Sequence, residues 1–129
     1  MVPRYRAWDK HVKKIRKVTE IHFDDSLIYL KANNGKGYYC SFSDIELMQS
    51  TGLLNCETED GKNVEGWEGD IADIGWSEQT GEFNSHRIIL KSPFDYSTDE
   101  ARWLIHAEYI IIRGNIYENP ELLEQANEI

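Results

Sequence analysis

The sequence predicts a mainly β chain of the α+β class, and three observations lead there. Short runs of alternating or β-branched residues recur, separated by reversal signals such as Asn33-Asn34-Gly35, Asp60-Gly61 and Thr80-Gly81. Helix-start signals are confined to three brief stretches. The length of 129 residues suits one core or two small lobes.

Strands come first. Arg4 to Trp8 carries β-formers, and Asp9-Lys10 starts a turn into the basic segment His11 to Lys17. From Thr19 to Phe23 less polar odd positions alternate with polar even ones, as a half-buried strand requires. Asp24-Asp25-Ser26 turns the chain, and Leu27 to Ala32 reads as the partner strand. Asn33 to Gly37 reverses it again, because Asn and Gly tolerate positive φ. Tyr38 to Phe42 completes a small antiparallel sheet. Ser43-Asp44-Ile45-Glu46 then matches a capping box, with Gly52 at the C′ position, so a short helix is expected at 43–50.

Residues 51–71, TGLLNCETEDGKNVEGWEGDI, mix acids with glycines. Asp60-Gly61 marks a hairpin turn, and Gly66 and Gly69 bracket Trp67-Glu68 before a strand from Asp70 to Trp76. In that strand Ile71 faces one side and Ala72, Ile74 and Trp76 the other, so both faces are partly covered. Gly75 suggests a bulge. Phe83 to Leu90 returns, and Lys91 to Asp95 loops around Pro93. Ser97-Thr98-Asp99-Glu100 is a second capping box, opening a short helix over Ala101 to Leu104. Glu108 to Arg113 is a strand, and Asn119-Pro120-Glu121 starts a closing helix over 119–127.

Composition narrows function. Hydrophobic content of 40% and charged content of 29% describe a globular chain. The net charge of −9 argues against direct nucleic-acid binding, since phosphate contacts need Lys and Arg. It suits a basic partner or a mimic of nucleic acid. No apolar run approaches the roughly 18 residues of a membrane span. The start MVPRYRAWDK has no signal-peptide core. Cys40 and Cys56 read as reduced thiols of a cytoplasmic protein.

Motifs for catalysis are missing. His11, His22, His86 and His106 lack zinc-site spacing, and neither G-x-S-x-G nor a P-loop occurs. No enzyme, cofactor or metal is predicted. Glu57, Glu59, Asp60, Glu65, Glu68, Asp70 and Asp73 offer oxygens to a hard cation, but their spacing is not that of an EF-hand. A solvated hairpin is the expectation, with Asp70 bonding the backbone of the Gly69 turn. Arginines beside aromatics occur at Arg4-Tyr5-Arg6-Ala7-Trp8, Arg102-Trp103 and Arg113-Gly114-Asn115-Ile116-Tyr117. Guanidiniums hold phosphates and aromatic faces stack on bases, so these types suit a nucleotide-like ligand. They equally suit strand ends with surface guanidiniums and core aromatics.

Four segments carry a family resemblance: RAWDK at 6–10, DIELMQSTGL at 44–53, EGDI at 68–71 and GNIYENPELL at 114–123. Together they resemble the YopX family of small phage and prophage proteins, in order and over nearly the whole chain. The resemblance implies a β-rich part at 1–50 and an SH3-like partial β-barrel at 51–129 with a short C-terminal helix. It also implies homo-oligomers and no established enzyme activity. Two features depart from the pattern: Glu65-Gly66 intervenes between Val64 and Trp67, and the hairpin Asn55 to Gly61 is longer. The leading expectation is a non-enzymatic phage accessory protein in the host bacterial cytoplasm. It would evade host immunity by sequestering a nucleotide-derived signal in pockets between subunits. Arg6, Trp8, Arg102, Arg113, Asn115 and Tyr117 are the expected ligand-binding residues. The competing expectation is an acidic inhibitor that imitates nucleic acid against a basic host protein.

Overall fold

The structure, a computed structural model, describes residues 4–92 and 95–127. Pro93, the centre of one expected loop, lies outside the described residues. The chain divides into two compact units, Met1–Ser50 and Thr51–Ile129. Each contains one five-stranded sheet, so the mainly β expectation holds. No helix among the described residues is long and apolar enough to cross a membrane.

In the first unit the strands are β1 (Tyr5–Asp9), β2 (Lys14–His22), β3 (Leu27–Lys31), β4 (Gly37–Ser41) and β5 (Ile45–Gln49). Their order is β4-β3-β2-β1-β5, antiparallel throughout. Ala7, Ile28, Leu30 and Ile45 form the core of one face, with Val18, Ile21, Tyr38 and Phe42 packed against it. Asp9 is buried beside this core. Its carboxylate accepts from the Tyr38 hydroxyl at 2.6 Å and the His11 amide at 2.9 Å. Burial pushes the Asp9 carboxyl up, but those hydrogen bonds outweigh it and hold the group below the usual carboxylate range.

The helix expected at 43–50 is not there. Ser41 caps a single 3-10 turn over Phe42–Asp44, and Ile45 is already extended at φ −137°. Ile45 to Gln49 instead pairs along β1, from Ile45↔Asp9 to Tyr5↔Gln49. Ile45 and Met48 are both buried, a helix-like spacing, but they lie on opposite faces of a strand covered on both sides. Eight residues nucleate a helix poorly, whereas the free edge of β1 supplies a hydrogen-bond ladder.

The second unit holds β6 (Cys56–Glu57), β7 (Asn63–Val64), β8 (Asp70–Ser77), β9 (Phe83–Ile89), α1 (Thr98–His106), β10 (Tyr109–Asn115) and α2 (Glu121–Asn127). The order is β7-β6-β10-β8-β9, and β6 runs parallel to β10 while the other pairs are antiparallel. This sheet stays open instead of closing into a barrel, with β7 and β9 at its edges. Cys56, Ala72, Ile74, Ile88, Leu90 and Ile110 form the core, with Trp103 and Leu104 of α1 packed on it. Strand β8 is covered on both faces, as its residues suggest. The expected bulge at Gly75 is absent; the register shifts instead between Ile112 and Gly114. Gly75 has a different use: the Tyr109 ring lies across it, and a Cβ there would push that ring aside.

The hairpin turn forms at Thr58 to Lys62 as expected, with the Thr58 amide donating to the Lys62 carbonyl at 2.9 Å. The additional Glu65-Gly66 has a structural use. Gly66 donates to the Leu53 carbonyl and accepts from the Thr51 amide, tying the entry of the unit to the hairpin. A Cβ on Gly66 would stand 2.8 Å from Leu90 Cδ1 and 3.1 Å from Cys56 Sγ, so only glycine fits so close to the core.

Candidate functional site

The capping box at Ser97 decides where α1 begins. Ser97 Oγ accepts from the Glu100 amide and Glu100 Oε1 accepts from the Ser97 amide, both at 3.1 Å. Lys91 adds a 3.2 Å ion pair to Glu100. The helix runs on to His106, which brings Arg102, Trp103 and His106 to the β8–β9 hairpin. Between them lies a cleft of about 900 Å³, lined also by Trp76, Ser77 to Thr80, Glu82, Asn84 and Glu108.

Trp76 and Trp103 line this cleft, and His86 behind them stacks on both. His86 stacks on Trp103 at 3.9 Å and 4°, and Trp76 stacks on His86 at 5.4 Å and 25°. Strand pairing produces the stack: Ile74 faces His86 and Trp76 faces Asn84, so Trp76 and His86 share a face. Glu78 Oε1 accepts from Trp76 Nε1 and from Asn84 Nδ2, each at 3.0 Å, which fixes one indole and one amide. Glu108 Oε1 accepts from the Ser77 amide at 2.8 Å. Arg102 is exposed at the mouth. Indole surfaces stack planar rings, carboxylates accept from hydroxyls, and a guanidinium binds phosphate or carboxylate.

The six residues singled out from the sequence do not meet at this site. Arg102 lines it. Arg6 and Trp8 lie two residues apart on β1 of the first unit, on one face of that sheet. Arg113 belongs to an ion-pair chain: its Nε donates to Asp73 Oδ2 at 2.9 Å and its Nη1 to Glu59 Oε1 at 3.0 Å. Arg87 grips the same Asp73 through Nε at 2.7 Å and Nη2 at 2.9 Å, and its Nη1 reaches the Leu122 carbonyl at 3.1 Å. The hydrogen bonds from Arg87 hold the Asp73 carboxyl below its ordinary range, with Arg113 adding to the effect. Asp73 and Trp76 are three residues apart on β8, so Arg113 and the cleft occupy opposite faces of the sheet.

Asn115 is a buried turn residue. Its Oδ1 accepts from the Tyr117 amide at 3.0 Å and the Glu118 amide at 2.8 Å. Tyr117 stands half-buried in the turn so formed. Asp70 acts as expected, its carboxylate accepting from the Trp67 amide at 2.9 Å. Sequence reading missed Trp76, His86, Asn84 and Glu78. Trp76 has the spacing from Ile74 of a core face, and His86 has no motif; only the β8–β9 register joins them.

Comparison with known proteins gives a family alone. No curated protein and no solved structure matches the chain. The family model described as YopX protein matches residues 4–124, nearly the whole sequence, and the chain belongs to the YopX family.

Proposed function

We propose that this chain is a non-enzymatic binding protein of phage origin. It takes up a nucleotide-derived signal in the cleft between α1 and the β8–β9 hairpin, and so withholds that signal from host antiviral immunity in the bacterial cytoplasm. One observation carries the reading: a single cleft combines a guanidinium, two indoles and three glutamates, Glu78, Glu82 and Glu108. A nucleotide offers a partner for each group. Its base stacks on an indole, its ribose hydroxyls donate to carboxylates, and its phosphate meets Arg102. The volume of about 900 Å³ lies within the range of small-ligand sites.

The test is retention and release. The purified chain is equilibrated with cyclic and ADP-ribose-type nucleotides, freed of excess ligand, heated and analysed. The reading expects an intact molecule in stoichiometric amount. An altered molecule identifies an enzyme, and an empty supernatant rejects the cleft as a nucleotide site.

The acidic-inhibitor reading rests on a separate observation. Residues 51–129 hold seventeen acids against five Lys and Arg, a net −12. Glu57 and Asp60 are exposed on the β6–β7 hairpin. Charge reversal at these two positions leaves nucleotide retention intact under the first reading and abolishes function under the second.

A further inference from the structure

The cleft between α1 and the β8–β9 hairpin has two walls of opposite hydrogen-bonding character. The helix wall carries the Arg102 guanidinium and the His106 imidazole. The hairpin wall carries carboxylates, and strand register explains their position. Trp76 stands opposite Asn84. The register continues into the turn, where the Glu78 amide donates to the Glu82 carbonyl at 2.7 Å. Directly paired and alternate residues share a face, so Trp76, Asn84, Glu78 and Glu82 stand on one side of the hairpin. That side lines the cleft.

The three carboxylates of the cleft are not equivalent. Glu78 Oε1 already holds the Trp76 indole and the Asn84 amide, and Glu108 Oε1 holds the Ser77 amide. The exposed Glu82 side chain has no hydrogen bond or ion pair among the described residues. It also stands directly opposite a like charge, an unfavourable arrangement that a donor-bearing ligand relieves. An ionised carboxylate only accepts, so such a ligand presents donors to it. Trp76 and Glu82 are diagonal neighbours across the hairpin, about 7–8 Å apart at the backbone and within reach of long side chains. A planar ring stacked on the indole therefore brings its edge to this carboxylate.

Bases differ at that edge. Guanine presents two adjacent donors, N1–H and the N2 amino group, which one carboxylate accepts side by side. Adenine and cytosine set an amino donor beside a bare ring nitrogen, and uracil sets one N–H between two carbonyls. Each of these three turns an acceptor toward the carboxylate. We propose that the cleft selects guanine among the bases, with Glu82 accepting from N1–H and the N2 amino group, the ring stacked on Trp76, and Arg102 on the phosphate. The inference rests on the nucleotide reading of the cleft and names its ligand class, a guanine nucleotide.

Equilibrium dialysis of the full chain against the 3′,5′-cyclic monophosphates of guanosine, inosine, adenosine and uridine tests it, since the four share one sugar and phosphate. The inosine form keeps N1–H but lacks the N2 amino group. It should bind about 10- to 150-fold more weakly than the guanosine form, the loss of one charge-assisted hydrogen bond. The adenosine and uridine forms should bind more weakly still. Glu82→Gln puts an amide donor in place of one acceptor oxygen, and should lower the guanosine form to the level of the inosine form. The change lies on an exposed turn residue, so the melting temperature should stay that of the parent. Arg102→Ala should weaken all four by a common factor and keep their order. Equal affinity of the wild-type chain for the guanosine and adenosine forms overturns the choice of base, although the cleft still takes nucleotides. An unchanged guanosine preference in Glu82→Gln does the same. If none of the four is retained, the guanine assignment falls, and ADP-ribose-type nucleotides then decide whether the cleft is a nucleotide site at all.

Discussion

Arg113 donates to two carboxylates, so its truncation acts on structure before it acts on any ligand. Arg113→Ala should cost about 1.5–3 kcal/mol, the range for hydrogen bonds to charged groups, read as a lower urea midpoint. Asp73→Asn should cost more, because it leaves two guanidiniums facing each other without their shared anion. The pH dependence follows from the same carboxyl. Its folded pKa is depressed by Arg87 and then Arg113, so its contribution is complete above the unfolded value of about 3.9. That contribution is lost as pH falls through the lower folded value, and Asp73→Asn should remove this part of the acid loss. Cys56 supplies a second residue-scale check. Burial pushes its thiol up to about 11, so it should resist alkylation at neutral pH until the chain unfolds. None of these pairings was legible in the sequence. In the sequence Asp73 stands with the hairpin acids and Arg113 with the aromatics, and forty residues of chain separate them.

Elements fared better than partners. Turn chemistry located the hairpins at Asp60-Gly61 and Thr80-Gly81, and the Ser97 box located α1, because these signals act over four residues. Ser97→Ala should therefore cost about 0.5–2 kcal/mol, measured as a lower melting temperature. The β5 segment failed for the converse reason. Its local cap and spacing suit a helix, but the edge of β1 decides its conformation, and that edge is a long-range fact. Register is long-range too. The ring stack of Trp76, His86 and Trp103 is not visible until strands are aligned.

At the scale of the molecule, total charge concealed two opposite units, +3 and −12, and composition alone averages them away. Self-association is expected as well, since Phe23, Leu54 and Ile105 are 75%, 61% and 80% exposed and large apolar side chains in water favour burial. Light scattering at micromolar concentration should give a mass above 15.0 kDa, and a species of 15.0 kDa alone contradicts it. The central claim, stoichiometric uptake of a nucleotide in the α1 cleft, is tested most directly by calorimetric titration of cyclic and ADP-ribose-type nucleotides. Wild-type chain should saturate with a single plateau, and Arg102→Ala should bind about 10- to 150-fold more weakly for a lost charge-assisted bond. Arg113→Ala, titrated below its melting temperature, should bind as the parent does. Equal affinity for wild type and Arg102→Ala, or heat that continues after saturation, would contradict the account.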